Sequence, residues 1–169
     1  MILACDVHYN KDLSAVAAGV AFDHWASAKA QADYVTRVAT IAPYEPGAFY
    51  KRELPCLLAL LDIVPKQPDV IVIDGFVTLG AEARPGLGAR LFAALNKKAS
   101  VIGVAKSPFR GTPPECALLR GSGKTPLYIS AAGLPLDRAK AHVAEMHGAH
   151  RIPTLLSAVD HLCRNAGLP

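Results

Sequence analysis

Charged side chains are scarce in this chain of 169 residues: Asp, Glu, Lys and Arg make up 19% of it, against 51% hydrophobic residues. So little charge beside so many aliphatic residues excludes intrinsic disorder and predicts a chain that folds on its own core. Long apolar runs are missing as well. The longest, Ala15 to Phe22 and Leu54 to Leu61, fall well short of the about 18 residues needed to span a membrane. A basic segment followed by an apolar one is absent from the N-terminus, so the expected protein is soluble and cytoplasmic. Cysteine is thin and dispersed: Cys5, Cys56, Cys116 and Cys163 stand singly with no CxxC pair, which argues against a disulfide scaffold and a structural zinc site. No acidic excess exists either. Lys and Arg number 18 against 14 Asp and Glu, a net charge of +4, compatible with a polyanionic partner but common in proteins that bind none. Repeats and low-complexity segments are lacking, and a single domain over residues 1–169 is expected, burying about 70% of its unfolded surface.

What is present reads as strands first. Ile2 to His8, Ala15 to Phe22 and Tyr34 to Ile41 are short apolar or alternating stretches, with links brief enough for antiparallel hairpins. Leu54, Leu57, Leu58 and Leu61 then recur at helical spacing, which predicts a helix over Glu53 to Val64 closed by Pro65 to Pro68. Asp69 to Asp74 (DVIVID) and Ser100 to Ala105 (SVIGVA) are continuous runs expected of strands covered on both faces, separated by a helix from about Gly88 to Lys98. Lys106 to Thr125 reads as a surface loop and Leu127 to Ser130 as a short strand. Helices over Leu136 to His147 and Thr154 to Asn165 complete the chain. Three antiparallel strands followed by parallel strands and helices predict an α/β fold: a ribonuclease H-like mixed sheet with helices on both faces.

Asp6 and Asp74 each stand where an apolar strand leaves the core. Such an aspartate is either a turn residue or a metal ligand. If strands one and four are neighbours, as this topology implies, the two carboxylates face each other, and like charges so close call for a cation. Hard oxygen donors select Mg²⁺ or Mn²⁺, the ions of phosphodiester hydrolysis. Pro43 to Glu53, PYEPGAFYKRE, adds two prolines, a glycine and three aromatics: a stiff loop that could wedge against nucleobases or simply pack on the domain. Glu53 at a helix start is also a good partner for the helix dipole.

The exact string resembles the signature of the endonuclease V family, a Pro-Tyr-x-Pro-Gly wedge followed by an aromatic, an Arg and a catalytic Glu seven residues after the second Pro. Counted from Pro46, that Glu is Glu53. Asp6 resembles the family's first catalytic aspartate and Asp74, in PDVIVIDG, its second. GVAKS from Gly103 to Ser107, with Gly111 beyond it, is similar to the family's Gly-Val-Ala-Lys. Arg151, Ile152 and Pro153 resemble the Arg-aliphatic-Pro that opens the last helix, and nine residues past that Arg the family places an Asp or His, here Asp160, with His161 as its neighbour in register. The resemblance implies Mg²⁺, or Mn²⁺, on Asp6, Glu53, Asp74 and Asp160, with Lys106 meeting phosphoryl charge. It implies nucleic-acid contacts at Tyr44, Pro46, Gly47, Arg52, Gly75 and Arg110. The implied activity is that of a monomeric DNA-repair-type endonuclease cutting DNA or RNA 3′ of inosine to leave 3′-hydroxyl and 5′-phosphate ends.

The chain also departs from the family pattern. Gly75, Phe76, Val77, Thr78 and Leu79 stand where Gly-His-Gly follows the second aspartate, and Ala131 to Leu134 replace the later Gly-His. Those segments help to hold the displaced base in the family, so the metal chemistry carries over more directly than inosine specificity. A non-catalytic nucleic-acid-binding relative and a ribonuclease H-like nuclease of different preference are the alternatives. GSGKT from Gly121 to Thr125 is similar to a phosphate loop but lacks the earlier glycine and a preceding strand, leaving Arg120 and Lys124 to touch nucleic-acid backbone or nothing. His142, His147 and His150 do not share one helical face, and no GxSxG elbow accompanies Ser107, Ser122 or Ser130.

Overall fold

The computed structural model describes residues 1–43, 45 and 48–166. β1 (Ile2–Tyr9), β2 (Ala15–Phe22) and β3 (Ala32–Val38) form an antiparallel meander, and α1 (Tyr50–Asp62) leads to β4 (Val70–Asp74). A two-stranded ribbon, β5 (Thr78–Leu79) and β6 (Arg84–Pro85), precedes α2 (Leu87–Ala94) and β7 (Ser100–Ala105). After a short 3₁₀ turn, Pro114–Cys116, come β8 (Ala117–Leu118), β9 (Leu127–Ala132), α3 (Leu136–Glu145) and α4 (Thr154–Ala166). The seven-stranded sheet runs β3-β2-β1-β4-β7-β9-β8. β4 is parallel to both β1 and β7, as the ribonuclease H-like reading requires, whereas β9 runs antiparallel to β7.

Strand alternation sorts the side chains between two cores. Leu3, Cys5, Ile71, Ile73 and Val101 face α1 and α2, meeting Cys56, Leu57, Leu60, Leu87 and Leu91. Ala4, Val72, Ile102, Val104 and Ile129 face α3 and α4, meeting Ala139, Val143, Leu155, Val159 and Cys163. Helices therefore cover both faces, and β1 and β4 lie in the middle where the sheet is fully enclosed.

Element ends differ from the sequence reading for local reasons. α1 begins a turn earlier than Glu53, with Pro55 accommodated inside it, so Glu53 lies in its first turn. α2 stops at Ala94 because Asn96 and Lys97 take positive φ. β3 spans Ala32–Val38 and β9 extends to Ala132, while the long loop after β7 contains β8 and the 3₁₀ turn. Arg120 has a role in that loop different from the backbone contact considered above: it is buried and donates to the carbonyls of Val143, Met146 and His150, tying off the C-terminal end of α3. The Gly121 to Thr125 segment links the two-residue β8 to β9, with no helix after it.

Behind Asp74 the chain crosses β7 at Gly103. A β-carbon there would lie 2.5 Å from the Gly75 carbonyl, 2.7 Å from Ser130 Oγ and 2.9 Å from Val77 N. The Val77 N–H donates to buried Ser130 Oγ at 2.8 Å through that gap. Gly103→Ala is expected to push the 75–77 turn off the sheet, costing about 2 to 4 kcal/mol and roughly 5 to 12 °C in Tm by differential scanning calorimetry.

Candidate active site

Asp6 is on β1 two residues beyond Ala4, so it points toward the α3 and α4 layer; Asp74, two beyond Val72, points the same way. Lys106 continues that alternation from Val104 and donates from Nζ to Asp74 Oδ2 at 2.6 Å. From above this face α4 brings down Asp160, close enough for its charge to act on Asp6. Glu53 arrives from the opposite side. It continues the buried stripe of α1 made by Cys56, Leu57 and Leu60 and reaches around the ends of the central strands. Four segments thereby line one cleft of about 350 Å³ with Asp6, Glu53, Asp74 and Asp160, beside Gly75, His8 and Arg164.

The first turn of α1 is fastened to β1 through Tyr9. Arg52 lies over the Tyr9 ring with its guanidinium carbon 4.4 Å from the centroid, and Phe49 meets the same ring edge-on at 5.9 Å. Arg52 thus packs on Tyr9 and does not line the cleft. Arg110 is exposed on the loop after β7 and lines neither the cleft nor the neighbouring pocket. Tyr44, Pro46 and Gly47 lie outside the described residues. His161 is exposed and borders grooves on the far side of α4, so it is Asp160 that faces the cleft. His142 stacks on Trp25 at 4.5 Å and His147 pairs with Thr154 Oγ1 at 3.0 Å, two structural uses.

The electrostatics are those of crowded acids. Glu53 is 5% exposed; burial first, then the Asp6 and Asp74 charges, push its carboxyl up to about 8. Burial and Asp74 raise Asp6 to about 6. Burial pulls Lys106 down, but its hydrogen bond to Asp74 and the charges of Asp74, Asp6 and Asp160 together outweigh this and the net shift is upward. Partial burial draws Asp160 up, but Arg164 at 3.0 Å and Lys106 are among the groups that together bring its net shift down. Glu53 Oε2 is buried with no hydrogen-bond partner among the described residues.

An orphaned carboxylate oxygen, three further acids and an all-oxygen donor set fit a hard divalent cation. Among the described residues no three His, Cys, Asp or Glu side chains already stand so as to hold an ion; Asp74 and Asp160 are paired with Lys106 and Arg164 instead. Sequence reasoning missed His8, Phe49 and Arg164 as cleft residues. The signals were there: His8 is two residues from Asp6 on a strand, and Arg164 is four from Asp160 on a helix.

Comparison with known proteins gives a consistent family. The Endonuclease V family model matches residues 1–161. An endonuclease V from Streptomyces avermitilis is 33% identical over 190 aligned residues, covering 98% of this chain and 80% of the relative. One from Streptomyces coelicolor is 31% identical, covering 98% and 78%. The crystal structure of the Streptomyces avermitilis endonuclease V superposes with a TM-score of 0.75 at 30% identity, over 98% of this chain and 80% of that one. The Ciona intestinalis endonuclease V, solved with a 24-mer DNA containing an inosine followed by a ribo-adenosine, shares the fold with a TM-score of 0.79 at 22% identity, over 98% and 84%. No helix among the described residues is long and apolar enough to cross a membrane.

Proposed function

The chain belongs to the endonuclease V family, and from that premise we propose that it is a divalent-metal-dependent endonuclease that hydrolyses a phosphodiester bond beside a deaminated base, inosine, in DNA or RNA. The observation that carries this reading is the gathering of Asp6, Glu53, Asp74 and Asp160 on one cleft, with a Glu53 oxygen buried and unpartnered. A nucleic-acid-binding surface has no use for four converging acids, since they repel phosphate.

In this reading Asp6, Glu53, Asp74 and Asp160 hold one or two Mg²⁺ ions, Mn²⁺ being the alternative. Bound there, the metal supplies Lewis acidity toward the scissile phosphate and eases ionisation of water at neutral pH. Lys106, carried at the end of a rigid central strand, offers its ammonium to the charge that grows on the phosphoryl oxygens. Its backbone carbonyl accepts from the Arg151 guanidinium, which also donates to the Pro126 carbonyl at 2.8 Å, so a residue just ahead of α4 ties down the strand end that bears Lys106. Attack of water on phosphorus with breakage of the P–O3′ bond leaves a 3′-hydroxyl and a 5′-phosphate. Gly75 lines the cleft and its neighbouring pocket, and Tyr44, Pro46 and Gly47 are assigned by their motif to the space a displaced base leaves.

The test is cleavage of matched DNA and RNA oligonucleotides, with and without one inosine, in Mg²⁺, Mn²⁺ or chelator. Nicking only with metal and inosine, at a new end that phosphatase treatment alters, is expected. Metal-dependent cutting indifferent to inosine would make the protein a nuclease of other preference. Retained binding without cutting would make it a non-catalytic relative.

A further inference from the structure

A second cavity, of about 560 Å³, adjoins the cleft and shares Phe49, Glu53, Asp74 and Gly75 with it. Its mouth carries two exposed aromatics, Phe49 and Phe109. Its inner wall is Tyr50 with Arg90 laid on it, the guanidinium carbon 3.5 Å from the ring centroid. Gly75, at φ +129°, has nothing within 4 Å of where a β-carbon would stand, so the backbone next to Asp74 is open to a close approach. The size and the aromatic surfaces suit a flat heterocycle the size of a purine.

The polar lining is unusually one-sided. Glu53 and Asp74 belong to the carboxylate cluster, and the other charged side chains are Arg84 and Arg90, which can only donate. Arg84 is exposed, 6.0 Å from the Phe109 ring. Arg90 is half-buried, its Nε has no partner, and among the described residues it makes no ion pair. A guanidinium held 3.5 Å over a tyrosine ring centroid with its Nε unpartnered is a planar fork of donors available to a ligand, and such a fork matches two acceptors side by side.

We propose that Arg90 is a specificity-determining residue: its fork donates to the O6 and N7 edge of a 6-oxopurine seated in this pocket, so that a base carrying a carbonyl at that position is preferred to one carrying an amino group or hydrogen. This rests on the nuclease reading above. Adenine presents an amino group at position 6 and would set donor against donor, leaving Arg90 unpaired. The same fork could instead meet a backbone phosphate, which would strengthen binding to every sequence alike.

The discriminating experiment uses one duplex with hypoxanthine, unsubstituted purine or adenine at a single site, and wild type beside Arg90→Ala and Arg90→Lys. Two ratios are read: hypoxanthine over purine in kcat/KM with Mg²⁺, and the same pair in equilibrium binding by fluorescence anisotropy with chelator. A wild-type preference for hypoxanthine of about 10- to 100-fold, falling toward one in both variants, is expected, Lys lacking the planar fork. Ratios taken within one variant are insensitive to partial loss of folded protein. Equal losses on all three bases, with the ratio kept, would place Arg90 on phosphate and overturn the assignment. So would a wild-type protein whose binding does not distinguish hypoxanthine from purine. If wild type fails to cut at all, the nuclease reading fails while the binding ratio still decides the role of Arg90.

Discussion

Asp74→Ala is expected to lower single-turnover cleavage of an inosine-containing strand at least about 1000-fold, a barrier increase of more than roughly 4 kcal/mol. Asp74 ends the central strand β4, lines both cavities and is the carboxylate that Lys106 meets. Removing it takes away a proposed cation ligand and leaves Lys106 without its counter-charge. Glu53→Gln should be comparably damaging, although it keeps the shape of the side chain, because an amide is a far poorer donor to a hard cation. Lys106→Ala should cost less, about 100- to 1000-fold in kcat, with cation affinity not reduced, since its role concerns the charge developing on phosphate. Cleavage persisting within tenfold of wild type in Asp74→Ala would remove the carboxylates from the reaction.

The metal-free protein should become less stable as the pH rises from about 4.5 to 8, the opposite of ordinary acid denaturation. Glu53 is lifted from 4.5 to about 8 and Asp6 from 3.8 to about 6 in the folded chain. Between the unfolded and folded values the native state holds protons that the unfolded state has released, so stability is fully present below about 4.5 and lost as pH climbs through 8. A rise from 4.5 to about 8 on a group as buried as Glu53 corresponds to a few kcal/mol, or roughly 10 °C in Tm. Scanning calorimetry in chelator should show that slope. Glu53→Gln should flatten it and raise the Tm at pH 8, the signature of a residue kept for function at a cost in stability. Mg²⁺ or Mn²⁺ should restore wild type most strongly at high pH, where the ion no longer competes with protons. A wild-type Tm that rises from pH 5 to 8 without metal would contradict the reading of the cluster.

Much of this arrangement was legible from residues alone, because period-two alternation fixes direction. Once DVIVID is a central strand beside Ile2–Tyr9, Asp6 and Asp74 must share a face. The family motif placed Glu53, Lys106 and Asp160, and the fold brings all of them to one cleft or its border. Less legible were features built from contacts distant in sequence. Arg120 reads as a surface cation beside GSGKT, yet it is buried at the end of α3 because the carbonyls of Val143, Met146 and His150 converge on its guanidinium there. Arg90 lies in an unremarkable helix, and only the meeting of α2 with α1 sets it on Tyr50. The antiparallel direction of β9 depends on the path of the 106–126 loop, which carries little periodic signal.

The most direct test of the central claim is a Mn²⁺ titration of the purified protein followed by electron paramagnetic resonance, in wild type and in the Asp6→Asn, Glu53→Gln double variant. The account predicts one or two ions bound by wild type, displaced by Mg²⁺, and none retained at the same concentrations by the double variant, whose circular dichroism spectrum should be unchanged. Wild type that binds no Mn²⁺, or a double variant that binds it as well as wild type, would contradict it.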